Sequence, residues 1–357
     1  MAPSIRNVVA FAAFSLSGLV SAEAPCSRIA ELPSKDSTLS YWHTQPSKKL
    51  MGLRSTEELP STADVVVVGS GISGAFGAQE LVNGGKNVLM LEAREACWGA
   101  TGRNGGHCKP GIYFNKAHIA KFELDTYHYL KDYVADNKVD CDWNSTGGVA
   151  GFPSQTYFDK AIKNLAEVRK NDSSVADKVK PVTGAKALAD LRLTNMFGAM
   201  VQDDAAKLWP YKLVAHVLES LVDKGAARFN LQTNTAATRV ERIKGTSNWL
   251  VHTPRGKVIA KDVLLATNAY TSRVVPDFQH LLYPVRGQVA AVQPTNDSIP
   301  LPRTDVWYVN DNGDDVYLIQ RDVSDTIILG GLRAFVPGKE ECISRDNVVN
   351  PKIAQLL

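Results

Sequence analysis

The chain has 357 residues, of which 44% are hydrophobic and 22% are charged, and its formal net charge is +3. This composition is typical of a globular protein with one large or two medium domains. The positive charge is small and its residues are scattered, so the sequence gives no reason to expect a nucleic-acid partner.

The first residues predict a secretory signal peptide. A polar start with Arg6 leads into a thirteen-residue apolar run, Val8–Val20, and small residues follow at 21–24. This run is too short to span a bilayer, but it suits the apolar core of a signal peptide. An uncleaved anchor and a mitochondrial presequence, which should be richer in arginine, are the alternatives. We expect residues 1–24 to be removed and the remainder to be secreted without membrane attachment. Glycosylation would then be permitted at the N-x-S/T sequons Asn144, Asn171 and Asn296.

The cysteines indicate no metal site. The chain contains Cys26, Cys97, Cys108, Cys141 and Cys342. They form no C-x-x-C pair, and no histidine lies at zinc-finger spacing. In an oxidising compartment one disulfide is possible, and the odd number leaves at least one free thiol.

A polar lead-in segment over residues 25–61 precedes a regular strand–turn–helix–strand pattern. Val65–Val68 is a continuous β-branched run, as in a strand that is buried on both faces of a parallel sheet. A glycine loop and the helical segment ISGAFGAQELVN follow, and Gly84 with Gly85 ends the helix. Asn87–Glu92 is the next buried strand. This order predicts a βαβ unit that opens a doubly wound fold.

The rest of the chain predicts helices first and strands afterwards. Amphipathic helices are expected at 116–134 with Asn115 as N-cap, at 157–170 and at 212–225. Their apolar positions are Ile119, Phe122, Leu130 and Tyr133, then Phe158, Ile162, Leu165 and Val168, then Leu213, Val214, Val217, Leu218, Leu221 and Val222. Strands are expected at 228–234, 238–243, 248–253, 257–260 and 262–267, and an antiparallel sheet between 308 and 331.

The loop GSGISG has the pattern of a dinucleotide-binding turn. Gly69 permits a tight turn after the strand, Gly71 lets a pyrophosphate approach the backbone, and Gly74 lets the helix pack closely on the strand. The amides of Ile72 and Ser73 at the helix N-terminus, together with the helix dipole, stabilise an anion. The loop therefore predicts a nucleotide cofactor.

A second glycine loop distinguishes between the possible cofactors. Glu92 at the end of the second strand can accept hydrogen bonds from both ribose hydroxyls of an adenosine, in NAD or in FAD alike. The loop GATGRNGGH follows at once, and in it Thr101 and Asn104 can donate to phosphate or ribityl oxygens while Arg103 adds positive charge. Two such loops suit an extended cofactor with a large ring system. They favour a flavin, with a nicotinamide cofactor as the alternative.

These segments resemble the FAD-dependent oxidoreductase family that includes D-amino-acid oxidase, glycine oxidase and monomeric sarcosine oxidase, and most of all its γ-glutamylputrescine-oxidase-like branch. The matching text runs in family order between Asp64 and about Arg333: DVVVVGSGISG, LEAREACWGATGRNGGH, WPYKLVAHVLESL, DVLLATNAYTS, YPVRGQ and YLIQR…ILGG. The resemblance implies an α/β fold, with a Rossmann-type FAD-binding domain that has a parallel sheet and is interleaved with an antiparallel α+β substrate domain. The expected pieces are 62–138 and 201–280 for the FAD-binding domain, and 139–200 and 281–357 for the substrate domain.

The resemblance also implies FAD as the cofactor and a set of residues that hold it. The first loop holds the pyrophosphate, the acid holds the adenosine ribose, the second loop reaches toward the flavin, and a small residue contacts adenine through its backbone. The implied residues are Gly69, Gly71, Ile72, Ser73, Gly74, Glu92, Ala93, Arg94, Ala100, Thr101, Arg103, Asn104, Gly105, Gly106, Ala237, Thr267 and Asn268. Several members attach the flavin covalently through a histidine or a cysteine, and Arg103 stands at the position of the histidine anchor here. We therefore expect non-covalent FAD, with His107 and Cys108 close by as alternative anchors.

The activity that the resemblance implies is oxidation of the C–N bond of an amine or amino acid. Hydride passes from the substrate to the flavin, the imine hydrolyses, and dioxygen reoxidises the flavin to give peroxide. Arg321 resembles the position that grips a substrate carboxylate in some relatives, and a strand-end surface arginine is the alternative. Tyr317 and Arg286 are weaker candidates for substrate binding.

The end of the chain departs from the family pattern. Relatives continue with a glycine-rich segment that returns to the FAD-binding domain and covers the flavin ring, whereas this sequence ends at PKIAQLL. We therefore expect a member that lacks this segment. A truncated, non-catalytic family member and an NAD(P)-dependent dehydrogenase are the alternative functions.

Overall fold

The computed structural model describes residues 29–295 and 300–357. The predicted signal peptide over residues 1–24 and the sequon at Asn296 lie outside these ranges. The strands are β1 (Thr62–Val68), β2 (Val88–Leu91), β3 (His107–Cys108), β4 (Asn144–Ser145), β5 (Gly148–Phe152), β6 (Val179–Thr183), β7 (Gly198–Gln202), β8 (Ala206–Lys207), β9 (Phe229–Gln232), β10 (Arg239–Arg242), β11 (Trp249–Thr253), β12 (Gly256–Leu265), β13 (Val289–Val292), β14 (Thr304–Tyr308), β15 (Asp315–Gln320) and β16 (Ile327–Gly331). The α-helices are α1 (Ile72–Asn83), α2 (Ala117–Asp136), α3 (Gln155–Asn171), α4 (Ser173–Ala176), α5 (Ala185–Asp190), α6 (Pro210–Lys224), α7 (Thr271–Val274) and α8 (Pro351–Leu356).

A six-stranded sheet has the order β10-β11-β12-β1-β2-β9. Its four strands β12, β1, β2 and β9 run parallel, as predicted for a doubly wound section, and β10 and β11 extend it as an antiparallel pair. The separate strands predicted at 257–260 and 262–267 are wrong, because both belong to the continuous β12. Lys261 does not interrupt the strand. Its side chain is exposed to solvent, and its ammonium pairs with Asp64 on the neighbouring strand β1 at 2.7 Å.

The turn between β1 and α1 confirms the predicted strand–turn–helix unit. Gly69 has φ +104°, and a Cβ at that position would lie 2.5 Å from the carbonyl oxygen of Ala266. A Cβ on Gly74 would lie 2.0 Å from the carbonyl oxygen of Gly69. Only glycine lets the helix start so close to both neighbouring strands.

The helices α3 and α6 confirm the prediction, whereas α2 corrects it. The predicted N-cap Asn115 instead donates its side-chain amide to Glu123 at 3.0 Å, and Lys116 occupies the N-cap without a side-chain cap. Ile119 and Phe122 are 39% and 71% exposed, because they lie beside the inward stripe and not on it. The buried face of α2 is Ala120, Leu124, Tyr127, Leu130 and Val134.

A seven-stranded sheet has the order β13-β16-β15-β14-β5-β7-β6. It is antiparallel except for the β14–β5 pair, and its β15–β16 pair confirms the antiparallel section predicted between 308 and 331. Strands of the six-stranded sheet come from 62–138 and 201–280, and those of the seven-stranded sheet come from the other two predicted pieces, apart from β7, which crosses the predicted boundary at residue 200. The domain boundaries themselves stay a prediction.

A small three-stranded sheet has the order β3-β8-β4. Along the chain, its strands come at the points where the sequence passes from one large sheet to the other. Its strand β3 follows directly on the second glycine loop and pairs with β8. Among the described cysteines, Cys342 is disulfide-bonded, whereas Cys97, Cys108 and Cys141 are free thiols. In the part of the chain that the structure covers, no helix combines the length and the apolar character that crossing a bilayer requires.

Candidate functional site

The predicted cofactor residues come together at one edge of the six-stranded sheet. Gly69 follows the end of β1, Glu92 follows β2, Ala237 follows β9 by a short loop, and Thr267 with Asn268 follows β12. Because these four strands run parallel, their carboxyl ends meet at the same edge. The fold therefore gathers segments from residues 69 to 268 into one cleft.

The N-terminus of α1 faces this cleft. Gly71 is the N-cap and brings no side chain, and a Cβ placed there would meet only Thr101, whose Oγ1 would be 3.1 Å away. The amide of Ile72 donates to the same Oγ1 at 3.0 Å, and this hydroxyl keeps its own hydrogen for another acceptor. The amides of the first helical turn and the helix dipole thus open toward the second loop, as an anion site requires.

Glu92 is held in a fixed orientation at the end of β2. It is 9% exposed, and its Oε2 accepts hydrogen bonds from the amide and the hydroxyl of Ser70 at 3.0 and 2.6 Å. Its Oε1 accepts one from the amide of Arg94 at 2.9 Å. A carboxylate has about four lone-pair sites, so Oε1 can still accept a hydroxyl from the cleft.

Asn104 does not have the predicted donor role. Its side-chain amide donates to the carbonyl of Thr101 at 2.8 Å, and its Oδ1 accepts from the amide of Gly106 at 2.8 Å. Its own carbonyl accepts from the indole of Trp42 at 2.6 Å. The side chain therefore closes the second loop on itself, and the backbone of that loop, including Gly105, forms the wall of the cleft.

Arg94 and Arg103 contact a carboxylate that the sequence did not bring into the site. Arg94 Nη1 donates to Asp346 Oδ2 at 2.7 Å, and Arg103 Nε lies 3.7 Å from the same atom. Arg103 also donates to the carbonyl of Thr38 at 2.6 Å, so its guanidinium is turned toward the lead-in segment. Burial lowers the pKa of Arg103. Arg94 Nε and Asp346 Oδ1 are buried and have no hydrogen-bond partner among the described residues, which leaves both free for a polar ligand.

The remaining predicted residues have mainly structural contacts. Ala237 is buried in an apolar cluster, so only its backbone can face a ligand. The hydroxyl of Thr267 lies 2.9 Å from that of Thr271, and Asn268 has φ +45°. Ala93 lies in the loop that follows β2, and Ala100 begins a short 3-10 helix, Ala100–Gly102.

A cavity of about 480 Å³ starts at the second loop and extends over the seven-stranded sheet. Asn104, Gly105 and Gly106 form one end of it. The aromatic side chains on its wall are Tyr113, Phe114, Tyr308 and Tyr317, and the titratable ones besides tyrosine are His107, Lys109 and Asp315. A space of this size with apolar walls and a few polar groups is typical of a small-molecule site.

Burial shifts the pKa values of the titratable groups on the cavity wall. It lowers the pKa of His107 to about 3, so the imidazole is neutral. It lowers the pKa of Lys109 to about 8, and the Lys109 ammonium donates to the carbonyl of Val149 at 2.9 Å. Burial also raises the pKa of Asp315, and raises that of Tyr317 to about 12.

The two arginines predicted as substrate residues are committed to ion pairs. Arg321 is only 2% exposed, pairs with Asp142 at 2.5 Å and lies 5.3 Å over the ring of Trp42. It is therefore not a surface arginine, and its charge is paired with Asp142 inside the protein. Arg321 is also not among the residues that line the cavity. Arg286 pairs with Glu340 at 2.5 Å. Of the predicted substrate residues, Tyr317 lines the cavity.

Apart from tyrosines, Lys109 and Asp315 are the titratable cavity residues that the sequence prediction missed. His107 was predicted only as an alternative flavin anchor. Their positions do carry a signal: HCK follows the second glycine loop directly, and Asp315 begins an alternating strand of the antiparallel section. His107 and Lys109 continue the chain directly from the second glycine loop, and both line the cavity. The glycine pattern of the loop alone does not predict that the residues after it line a cavity.

The family comparison decides which cofactor the cleft serves. The sequence profile of the DAO family, described as FAD dependent oxidoreductase, matches residues 64–355. The chain belongs to this family. The cofactor of this DAO-family chain is accordingly FAD, which answers the choice between flavin and nicotinamide.

Curated relatives and solved structures agree with this assignment. The chain is 24% identical over 261 residues to a protein from Haemophilus influenzae named probable oxidoreductase OrdL, and 25% identical over 252 residues to gamma-glutamylputrescine oxidoreductase from Escherichia coli. These alignments cover 66% and 67% of this chain, and 57% of each relative's length. Glycine oxidase from Geobacillus kaustophilus has the same fold, with a TM-score of 0.63 and 19% identity over 76% of this chain and 71% of that one.

The cleft of the DAO-family chain fits FAD on its own geometry. The N-terminus of α1 at Gly71 suits a diphosphate, and the remaining acceptor site of Glu92 suits a ribose hydroxyl. The partnerless Arg94 Nε and Asp346 Oδ1 mark a place for further polar groups. In the described ranges no three metal-binding side chains come together.

We expect the substitution Glu92→Gln to weaken FAD binding about tenfold, because an amide loses the charge-assisted bonds to hydroxyl hydrogens. FAD titration with tryptophan or flavin fluorescence measures the affinity. The control is Glu95→Gln, because Glu95 lies on the same segment as Glu92. Glu95 accepts its hydrogen bonds from the amide of Gly52 and the side chain of Asn234. Equal FAD affinity in the two variants would contradict the assignment of Glu92.

Proposed function

We propose that this chain oxidises the C–N bond of an amine or amino acid, with FAD in the cleft and the substrate in the adjoining cavity. The observation that supports this most directly is the continuity of the two sites. The second loop contacts the N-terminus of α1 through Thr101, and its residues Asn104–Gly106 form the end of the 480 Å³ cavity. A substrate in that cavity would lie against the far end of a cofactor bound along the loop.

FAD held in the cleft would supply the two-electron acceptor for a hydride from the substrate's α-carbon, and the protein's own residues would orient the substrate and exclude water. Aromatic walls from Tyr113, Tyr308 and Tyr317 bury the substrate's carbon chain. Lys109 and Asp315 provide one cation and one carboxylate on the same wall. The imine product hydrolyses to a carbonyl compound and an amine, or ammonia. With dioxygen as the final electron acceptor, the reaction would give hydrogen peroxide.

An anaerobic amine panel tests this function without assuming an electron acceptor. The chain is loaded with FAD, freed of excess cofactor and mixed with primary amines, diamines and amino acids. We expect at least one compound to bleach the visible flavin band. Admission of air should restore the band and release hydrogen peroxide in equal amount. Bleaching of the flavin without release of peroxide would show that an electron acceptor other than dioxygen is used. Stable FAD binding without bleaching by any compound would favour a non-catalytic family member.

We further propose that FAD is held without a covalent bond and that the protein is secreted. The side chain at the predicted anchor position is Arg103, whose guanidinium bonds Thr38. Acid precipitation of the loaded chain should therefore release all the flavin into the supernatant. A disulfide at Cys342 and an exposed sequon at Asn144 are compatible with the secretory pathway. The secreted protein should begin at residue 25 in N-terminal sequencing, and retention of residues 1–24 would contradict secretion by this route.

A further inference from the structure

His107 is a half-buried side chain on the cavity wall, and its ring nitrogens have no hydrogen-bond partner among the described residues. It begins β3, directly after the loop residues Gly105 and Gly106, and its ring lies edge-on to Tyr317 with centroids 5.4 Å apart. Neither Nδ1 nor Nε2 has a hydrogen-bond partner among the described residues, and both atoms are buried. A buried polar group left unpaired costs about 1–3 kcal/mol, so such a group calls for a ligand.

The imidazole has a hydrogen-bond acceptor available in either tautomer. A neutral histidine always has one N–H donor and one acceptor nitrogen. Burial and the nearby charge of Lys109 lower the pKa of His107 to about 3, so the ring stays neutral at physiological pH. The groups around the ring are aromatic or cationic: Tyr317 contacts its edge, and Lys109 turns its ammonium to the carbonyl of Val149. Neither of these two side chains satisfies the acceptor nitrogen.

We propose that His107 is a substrate-binding residue whose acceptor nitrogen takes a hydrogen bond from the N–H of the substrate's amino group. This inference rests on the proposed function, because it assigns the cavity to an amine. The amino group is the N–H donor that amines and amino acids share. Bound to His107, it is placed beside the end of the loop that closes the cofactor cleft.

A purely structural role for His107 predicts different behaviour. A histidine that stabilises the fold would hold hydrogen bonds to neighbouring groups, and its replacement would destabilise the protein. Here the ring contributes packing on Tyr317 without such bonds. The substitution His107→Phe keeps a ring of similar size and removes both nitrogens. Without amine it should melt at the same temperature as the wild type or higher, since the cost of burying an unpaired imidazole disappears.

The test compares two ligands that differ in their N–H groups. n-Butylamine donates N–H, whereas n-butyltrimethylammonium has none. Calorimetry is carried out on the FAD-loaded chain kept reduced with dithionite, so that neither ligand is consumed. We expect His107→Phe to raise the Kd for butylamine about tenfold and to leave that for butyltrimethylammonium within about twofold. His107→Gln, which keeps a carbonyl acceptor, should stay within about threefold of the wild type for both ligands.

Three results would overturn the inference: no butylamine binding by the wild type, equal butylamine affinity in wild type and His107→Phe, or a parallel loss for both ligands. A large drop in melting temperature for both variants would assign His107 a structural role and overturn it as well. The proposed function fails separately, if the predicted affinity pattern appears but no amine of the panel bleaches the flavin.

Discussion

Replacement of Gly71 by valine is expected to lower the affinity for FAD about a hundredfold while the chain stays folded. Gly71 has φ −68°, which any residue adopts, and it is the N-cap of α1. A side chain there would enter the gap between α1 and Thr101, where the diphosphate approaches the amides of the first helical turn. Loss of one or two charge-assisted hydrogen bonds amounts to about 3 kcal/mol, which corresponds to a hundredfold change in Kd.

The matched control lies at the other end of the same helix. Gly84 has φ −74°, and a Cβ there would meet the carbonyl of Glu80 at 3.3 Å, a contact comparable to the 3.1 Å contact at Gly71. Gly84→Val should therefore disturb α1 to a similar degree without touching the cleft. Flavin absorbance after gel filtration and FAD titration compare the two variants. A Gly71→Val protein that purifies with the FAD content of Gly84→Val would refute the placement of the diphosphate at this turn.

The segment from Val65 to Glu92 could be predicted almost completely from the sequence, because its information is local. A buried strand, a positive φ at Gly69, a close contact at Gly74 and a strand-end acid are each specified by a few neighbouring residues. The same holds for α6, whose apolar stripe faces the core. In α2 the local pattern was insufficient, because two overlapping apolar stripes exist and tertiary packing chose between them.

Side-chain partners far apart in sequence could not be predicted. Arg321 pairs with Asp142 across 179 positions, and Arg94 pairs with Asp346 across 252. These pairs decide whether a guanidinium can hold a substrate or a phosphate, or is already neutralised. The cavity could not be predicted for the same reason, because it is lined by residues far apart in sequence. They come from the loop after β2 and from β14 and β15 of the seven-stranded sheet. The sequence therefore predicted the backbone geometry of the first glycine loop well and the lining of the cavity poorly.

Replacement of Lys109 by methionine is expected to stabilise the folded chain at pH 7 and to lose that advantage as the pH rises. Burial lowers the pKa of Lys109 from 10.5 to about 8, although Asp305 and Asp315 act in the opposite direction. Between pH 8 and 10.5 the unfolded chain holds a proton that the folded chain has released. Wild-type stability therefore rises with pH over this window, whereas the methionine variant has no such contribution. The difference in unfolding free energy between variant and wild type should be larger at pH 7 than at pH 10.5 by about 3 kcal/mol.

Lys109→Gln separates the charge from the hydrogen bond. The Lys109 ammonium donates to the carbonyl of Val149 at 2.9 Å, and neither glutamine nor methionine titrates at this position. Glutamine keeps a donor and methionine does not, so the two variants should differ from each other by a constant amount. Against the wild type, both should show the same pH dependence, measured by urea unfolding at pH 7, 8, 9 and 10.5. A difference from wild type that stays constant over this range would mean that Lys109 is solvated through the cavity in the folded state, and that the cavity wall carries a fully hydrated ammonium toward the substrate.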